Sequence, residues 1–476
     1  MSNSSPQIAQ AGTHRWIWVG GLVCALAYGG LSWRGQAYGE AGLGDLLAVF
    51  TVTQGVTLAL FYLAWQQRLN LSVTTILWFA LLFRLIGLTG YPVLEDDHFR
   101  YLWDGWVTLQ FGSPYGVPPE AFFGDPAVPE RLQPILDGIN YPGVPTVYGP
   151  TAQLLFAFGA WLDAGNVLPL QIAAGTADLA VLWLLRHRTA PCWLLLYGWH
   201  FLMIKEFAFT AHIDVIAACL LLAAVLLRLS HRTAAGHPLR RSLWLSLGAG
   251  ALAALAVGCK LFCLVALPFV LQTDVRAWLA AGVTAILIAL PFGIVNAWLP
   301  GGLDAMASDW LFNAPLPIAA AALWGSNGVW VAKLLCLLTL AAICVVQFWR
   351  YCGMCLWPAR HWWQAAPLVA PMATDNQPGY LRGLSTCLGA MLLLSPVVNP
   401  WYFALWLPFA CLVPARTPWV CASVVVLSYI MGINLPQSGL ALYQQPASVL
   451  LVEAVLVLGA LFWDWRKPLH TTGAAA

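Results

Sequence analysis

Residues 45–65 read DLLAVFTVTQGVTLALFYLAW, with a charge at the first position and none after it. A run of about 20 apolar residues, wound as a helix, matches the hydrocarbon thickness of a bilayer. No water reaches that layer to satisfy an open backbone, so a spanning segment must be a helix or part of a closed barrel. Outward from this stretch the same reading repeats at about 17–32, 73–90, 168–185, 191–205, 209–228, 243–258, 261–271, 277–295, 328–348, 383–396, 401–414, 417–433 and 447–463. Hydrophobic residues make up 60% of the chain and charged residues 9%, with a mean hydropathy of +0.74. Ordinary soluble domains carry about 25% charged residues. The pattern predicts an all-α polytopic membrane protein with about 11–14 transmembrane helices. Runs 261–271 and 401–414 fall short of a full span and are expected to be re-entrant or broken.

Lys and Arg collect on the cytoplasmic side of such proteins. Arg15, Arg68, Arg186, Arg188, Arg228, Arg232, Arg240, Arg241, Arg276, Arg350, Arg360, Arg382, Arg416, Arg466 and Lys467 can share that side under two conditions. Both termini must be cytoplasmic, and the apolar helix 150–163 must lie on the outer surface rather than cross. Segments 91–167, 296–327 and 434–446 then reach the extracytoplasmic side. The first is acidic, aromatic and rich in Pro and Gly, and is expected to carry juxtamembrane helices; a loop this long is more often functional than a linker. The expected organisation is an N-terminal hairpin at 1–72, a module at 73–300 that includes loop 91–167, and a C-terminal module at 301–476 with loop 296–327 at its boundary. The polar start Met1–His14 is followed by no convincing small-residue cleavage site, so the first helix is expected to be retained. Tryptophans at run ends, such as Trp33, Trp65 and Trp463, suit the headgroup layer. Cysteines such as Cys259 and Cys263 sit inside apolar runs and read as core. The absence of a P-loop, a Rossmann glycine pattern, HExxH or a nucleophile elbow argues against nucleotide use and an ATP-driven pump. Scattered basic residues give no sign of a nucleic-acid partner.

The cluster Glu95-Asp96-Asp97 opens the long outer segment, and Leu94 to Trp106 reads as a short helix leaving the third span. Asp96, Arg100 and Asp104 recur at every fourth position, so one helical face can carry acid, base and acid. Carboxylates at a membrane rim are costly unless hydrated, paired or used. Asp97 and Asp96 are therefore candidate bases facing a cleft, against the alternative of a solvated helix start, where acids suit the N-terminus. Lys205-Glu206 is followed by His212 and Asp214, and Glu206, Thr210 and Asp214 are expected to stack on one helical face. They form either an active-site wall or a satisfied polar packing set. Lys260 either snorkels to headgroups or grips an anionic group, and Arg84 has the same two readings. Tyr148 and Tyr402, the latter close to Asn399, lie in Pro-broken turns and can stack on a sugar, pack on a prenyl chain or anchor at the interface.

Four stretches carry a family resemblance. They are Asp96-Asp97-His98-Phe99-Arg100-Tyr101-Leu102-Trp103-Asp104-Gly105 with Gly112-Ser113-Pro114-Tyr115; Pro145-Thr146-Val147-Tyr148-Gly149-Pro150; Lys205-Glu206 through His212-Ile213-Asp214; and Asn399-Pro400-Trp401-Tyr402. On these the chain resembles the polytopic glycosyltransferases of the C-type fold that use polyprenyl-phosphate sugars, and most closely their bacterial mannosyltransferase-like branch. The resemblance implies a multi-pass hexosyltransferase of the bacterial cytoplasmic (inner) membrane, serving the cell envelope. A sugar, mannose by resemblance alone, would pass with inversion from a polyprenyl-phosphate donor to a glycan, lipid or protein hydroxyl on the extracytoplasmic side. It implies Asp97 as general base with Asp96 its close rival, and Arg100 or Lys260, then Lys205 and Arg84, on the donor phosphate. Asp104, Tyr148, Glu206, His212, Asp214, Asn399 and Tyr402 would bind substrate or wall the site. No cofactor is required, and a divalent cation could assist at the carboxylates. The family tends to show Tyr-x-Pro-Pro where this chain reads Tyr148-Gly149-Pro150-Thr151, and two extra spans precede the acidic loop. The competing readings are a secondary transporter, which matched discontinuous helices in two halves would favour, and a transferase of another lipid-linked group such as aminoarabinose.

Overall fold

The computed structural model describes residues 6–233, 239–308, 310–352 and 377–469, so Met1–Ser5 and the cytoplasmic-side candidate Arg360 lie outside the described residues. Within them every regular element is helical, and β-type pairing is confined to an isolated parallel bridge between Phe312 and Val397. Among the described residues, seven helices are long and apolar enough to cross a membrane: Arg15–Arg34, Leu43–Trp65, Leu168–Leu185, Arg241–Cys259, Val275–Phe292, Pro315–Tyr351 and Ala447–Arg466. Counting Phe201–Phe209 with Asp214–Ser230 as one broken span makes eight, and shorter apolar helices lie at Val73–Gly87, Leu261–Leu271 and Thr417–Tyr429. The chain is an all-helical, polytopic membrane protein.

This count is lower than the 11–14 runs suggest, and the backbone explains why. Apolar composition continues through several positions where the helix does not. Run 191–205 divides into Pro191–Gly198 and Phe201–Ile204, and run 401–414 into a 3-10 segment Pro400–Leu405 and the short helix Leu407–Leu412. Run 261–271 becomes a 3-10 stretch Leu261–Ala266 followed by Leu267–Leu271. Pro191, Pro268, Pro400 and Pro408 fall near the starts of these pieces, where a missing N–H is tolerated. Runs 261–271 and 401–414 are thus broken, as their length leads one to expect. The helix Pro315–Cys352 is interrupted at Gly325, whose φ of 64° suits a residue without Cβ. Helix Pro150–Asp163, at 14 residues, is too short for a span of about 20. It buries Ala152, Phe156 and Ala160 and leaves Phe158, Trp161 and Leu162 exposed.

The helices gather into two compact units, neither continuous in sequence. The first holds Met1–His98, Val167–His212 and Ala410–Ala476; the second holds Phe99–Asn166 and Ile213–Phe409. In the first, helices Pro6–Arg34, Leu43–Trp65 and Val73–Gly87 pack together around Phe79, Phe83 and Trp199, whose rings meet edge to face. In the second, Leu239–Cys259 packs against both Asp214–Thr233 and Val275–Ala289. Gly250 permits the second of these contacts, since a Cβ there would strike the Ala277 carbonyl.

One polar lock ties these three helices together. Asp274 caps Val275–Ala289 by accepting from the Arg276 and Ala277 amides, at 3.1 and 3.4 Å. Its other oxygen accepts from Arg228 at 2.7 Å and from Ser246 at 2.5 Å. Burial alone would raise the Asp274 carboxyl, but the Ser246 hydroxyl, the Arg228 guanidinium and the Ala277 amide hold it below the ordinary aspartate range. A lowered folded value means stability that is present above the unfolded pKa and lost as pH falls through the folded one. Asp274→Asn is therefore expected to cost about 3–5 kcal/mol at neutral pH, as expected for a broken buried pair. The gap from wild type should shrink below about pH 4. Thermal unfolding in detergent from pH 7 to pH 2.5 measures it, and a pH-independent gap would contradict this account.

Candidate functional site

In the first unit the apolar run 191–210 ends in a wide turn. Lys205–Phe209 forms a π-helical turn, the Thr210 hydroxyl donates to the Lys205 carbonyl at 2.8 Å, and Ala211 adopts a φ of 63°. The His212 amide then reaches back to the Glu206 carbonyl at 3.0 Å. Single π turns inside helices are frequent at functional sites. This one turns Glu206 and His212 toward each other, with the His212 Nε2 lying 3.4 Å from Glu206 Oε2. It also overturns the expected stripe of Glu206, Thr210 and Asp214, because the helix stops at Thr210 and a new one begins at Asp214.

Around Glu206 a fully buried polar cluster assembles. Lys205 Nζ lies 3.2 Å from Glu206 Oε1 and 3.9 Å from Glu95 Oε1, and it contacts the Tyr429 hydroxyl. Tyr429 in turn donates to Glu206 Oε1 at 2.7 Å, and its ring lies 4.0 Å below the ammonium. Glu95, Glu206 and His212 each place one ligand atom within 4.8 Å of the others. Two carboxylates and an imidazole at that spacing could hold a divalent cation. Burial pushes the Glu95 carboxyl well above the ordinary glutamate range; Lys205 opposes the push, while Glu206, Asp97 and Asp96 add to it.

Asp96 and Asp97 are half-buried, unlike Glu95. The Tyr443 hydroxyl donates to Asp96 at 3.3 Å, and Asp97 opens the helix Asp97–Phe111. His98, next in sequence, is buried with its ring edge-on to Tyr91, and burial drops its imidazole to about 3, so it stays neutral.

The second unit holds two further groups. Arg100 donates to Asp104 Oδ1 at 2.9 Å and to the Val144 carbonyl at 2.9 Å. Asp104 Oδ2 accepts from Thr146 at 2.5 Å and from Gln153 at 2.9 Å, which completes a buried network. Gly105 allows this helix to approach Pro150–Asp163, since a Cβ there would meet the Phe156 carbonyl. Tyr148 packs edge-on to Tyr101 and Phe156, and its carbonyl accepts from Tyr115 at 2.9 Å. Separately, Lys260 Nζ pairs with Asp214 Oδ1 at 2.9 Å and sits 4.0 Å above the ring of Tyr402. Asn399 lies 3.4 Å from the Tyr402 hydroxyl, at the long end of hydrogen bonding.

Exposure separates the four basic candidates. Side-chain exposure is 0% at Lys205, 2% at Arg84, 9% at Arg100 and 14% at Lys260, which leaves Lys260 the most accessible. Arg84 donates twice to Asp178, at 3.0 and 2.7 Å, and also to the Ala80 and Gly198 carbonyls, while Tyr197 donates to Asp178 at 2.8 Å. That set uses the guanidinium as a latch within the bundle. Glu95 is the group that residue-type reasoning left without a role, although it heads the acidic triplet. Tyr429 and Asp178 are buried in apolar runs and give no signal in the sequence beyond their polarity.

Comparison with protein-family models, with curated proteins and with solved structures finds no match for this chain. Fold and site together define a polytopic helical membrane protein with a buried carboxylate–ammonium–imidazole cluster.

The latch reading makes its own claim. Arg84→Met should destabilise the folded protein by about 3–5 kcal/mol by leaving Asp178 uncompensated, and Arg84→Met with Asp178→Leu should recover most of that loss. Thermal unfolding of both variants in detergent decides it; an unrecovered double variant would count against the latch.

Proposed function

We propose that this chain is an inverting glycosyltransferase of the C-type fold that moves a sugar, mannose by resemblance, from a polyprenyl-phosphate donor to an acceptor hydroxyl on the extracytoplasmic face. The observation that carries the reading is the acidic triplet: two half-buried carboxylates, Asp96 and Asp97, follow a buried one in a chain built from apolar helices. Ionisable side chains in such surroundings are expensive and are kept for function by default. A donor that is itself a lipid supplies an activated sugar without nucleotide chemistry, which accords with the absence of nucleotide motifs.

In this mechanism Asp97, or Asp96 in its place, takes the proton of the acceptor hydroxyl as that oxygen attacks the anomeric carbon. The bond from the anomeric carbon to the phosphate oxygen breaks in the same step, and the lipid phosphate leaves with the electron pair. By resemblance, Arg100 or Lys260 would balance charge growing on that phosphate, and Lys260 is the more exposed of the two. A single displacement inverts the anomeric configuration. Tyr402, beneath the Lys260 ammonium, keeps it positioned.

A secondary transporter is the second reading. The interruption at Thr210–Ile213, beside buried Lys205 and Glu206, has the form of a discontinuous helix carrying ion-coupling groups.

Reconstitution with a panel of labelled polyprenyl-phosphate sugars separates the two. Wild-type protein should transfer label to an acceptor fraction. Asp97→Asn should lower turnover by about 10²–10⁴-fold, the usual contribution of a general base. Lys260→Met, combined with Asp214→Asn so that no buried carboxylate is left uncompensated, should lower it by about 10²-fold. Wild-type rates in both Asp96→Asn and Asp97→Asn would remove the assigned base. Solute flux without transfer would favour the transporter, and transfer of aminoarabinose in place of a hexose would move the chain to another lipid-linked donor.

A further inference from the structure

We propose that Glu95, Glu206 and His212 form a binding site for one divalent transition-metal ion of the zinc class, for which Lys205 competes as a resident internal cation. The inference goes beyond the transferase reading and does not depend on it.

Four observations support it. The first is the donor set: an imidazole with two carboxylates suits zinc and its neighbours, whereas calcium and magnesium prefer oxygen alone. The second is spacing. Two ligands of a tetrahedral zinc ion, each at about 2.1 Å from the metal, lie about 3.4 Å apart. The His212 Nε2 and Glu206 Oε2 are separated by 3.4 Å, longer than the usual charge-assisted hydrogen bond of about 2.7–2.9 Å. With all three ligand atoms inside 4.8 Å, a rotation that moves Glu95 by little more than about 1 Å completes the set.

The third is charge. Lys205 is placed against both Glu206 and Glu95, so one ammonium serves two buried carboxyl groups. A dication would balance both once each binds it as the carboxylate, since metal binding releases ligand protons, and all three ligand side chains are buried. The fourth is construction. Glu206 lies within the π turn and His212 just beyond it, and the turn brings these residues, six apart in sequence, to ligand distance. Three protein ligands leave a tetrahedral ion one position for water or a substrate oxygen.

Lys205 makes the proposal sharp, because its ammonium holds the same carboxylates that a metal would hold. Removing that charge should tighten metal binding, whereas in a purely structural ion cluster it would only destabilise. The test uses full-length protein in detergent, purified on a tag without histidine and stripped with chelator. Zinc is titrated against a chromophoric chelator, and bound metal is counted by mass spectrometry. Wild type should take up one zinc per chain and gain thermal stability with it. Glu95→Gln and His212→Gln should each weaken binding at least tenfold, and Lys205→Met should strengthen it at least tenfold. Glu95→Gln retains size and hydrogen bonding, so it reads the site even where His212→Gln fails to fold. Less than a tenth of an equivalent in both folded wild type and folded Lys205→Met would overturn the proposal. So would equal affinity in wild type and Glu95→Gln.

Discussion

A fully buried ammonium governs the first unit. Lys205 has no exposed side-chain surface and lies among apolar helices, where an unpaired charge would cost several kcal/mol even after relaxation. It survives because Glu206 and Glu95 approach it and Tyr429 bridges the ammonium to Glu206. Satisfying that charge dictates local backbone structure. The π turn, the left-handed Ala211 and the return of the His212 amide to the Glu206 carbonyl all belong to one departure from regular helix. A continuous helix would have carried His212 away from Glu206, since residues six apart point to different faces.

The same economy recurs through the chain. Arg84 has Asp178, Arg100 has Asp104, Arg228 has Asp274, and Lys260 has Asp214. Among the described residues, each of these cations lies against a carboxylate. The consequence for function is that a basic residue in an apolar run says little until its counter-ion is known. Arg84 and Arg228 lock helices, whereas Lys260 lies at a helix end, with its ammonium over an aromatic ring and part of its surface open. Exposure, not charge, separates these side chains.

Much of the fold was legible in the residues. Apolar length identified the membrane class, and short runs such as 261–271 announced their own breaks, because proline and limited length leave little room for a complete span. The i, i+4 spacing of Arg100 and Asp104 foretold their ion pair. The number of spans was not legible, since hydropathy continues across a proline or a 3-10 turn where the helix axis does not. The cluster around Glu206 was legible in part: Lys205, Glu206 and His212 stood out as charges in an apolar context. That Glu95 and Tyr429 join them was not legible, because they come from positions 110 or more residues away along the chain.

By itself, then, the amino-acid order determined the medium in which this protein lives and the short list of side chains able to carry chemistry. Both follow from local quantities: how apolar a segment is, and which groups can ionise. Apart from the local Arg100–Asp104 pair, tertiary structure decided which carboxylate serves which cation, and that Glu95 rather than Asp96 or Asp97 joins the buried cluster. Pairing of that kind depends on a break in a helix and on contacts between distant segments, and neither is encoded at the positions that finally meet.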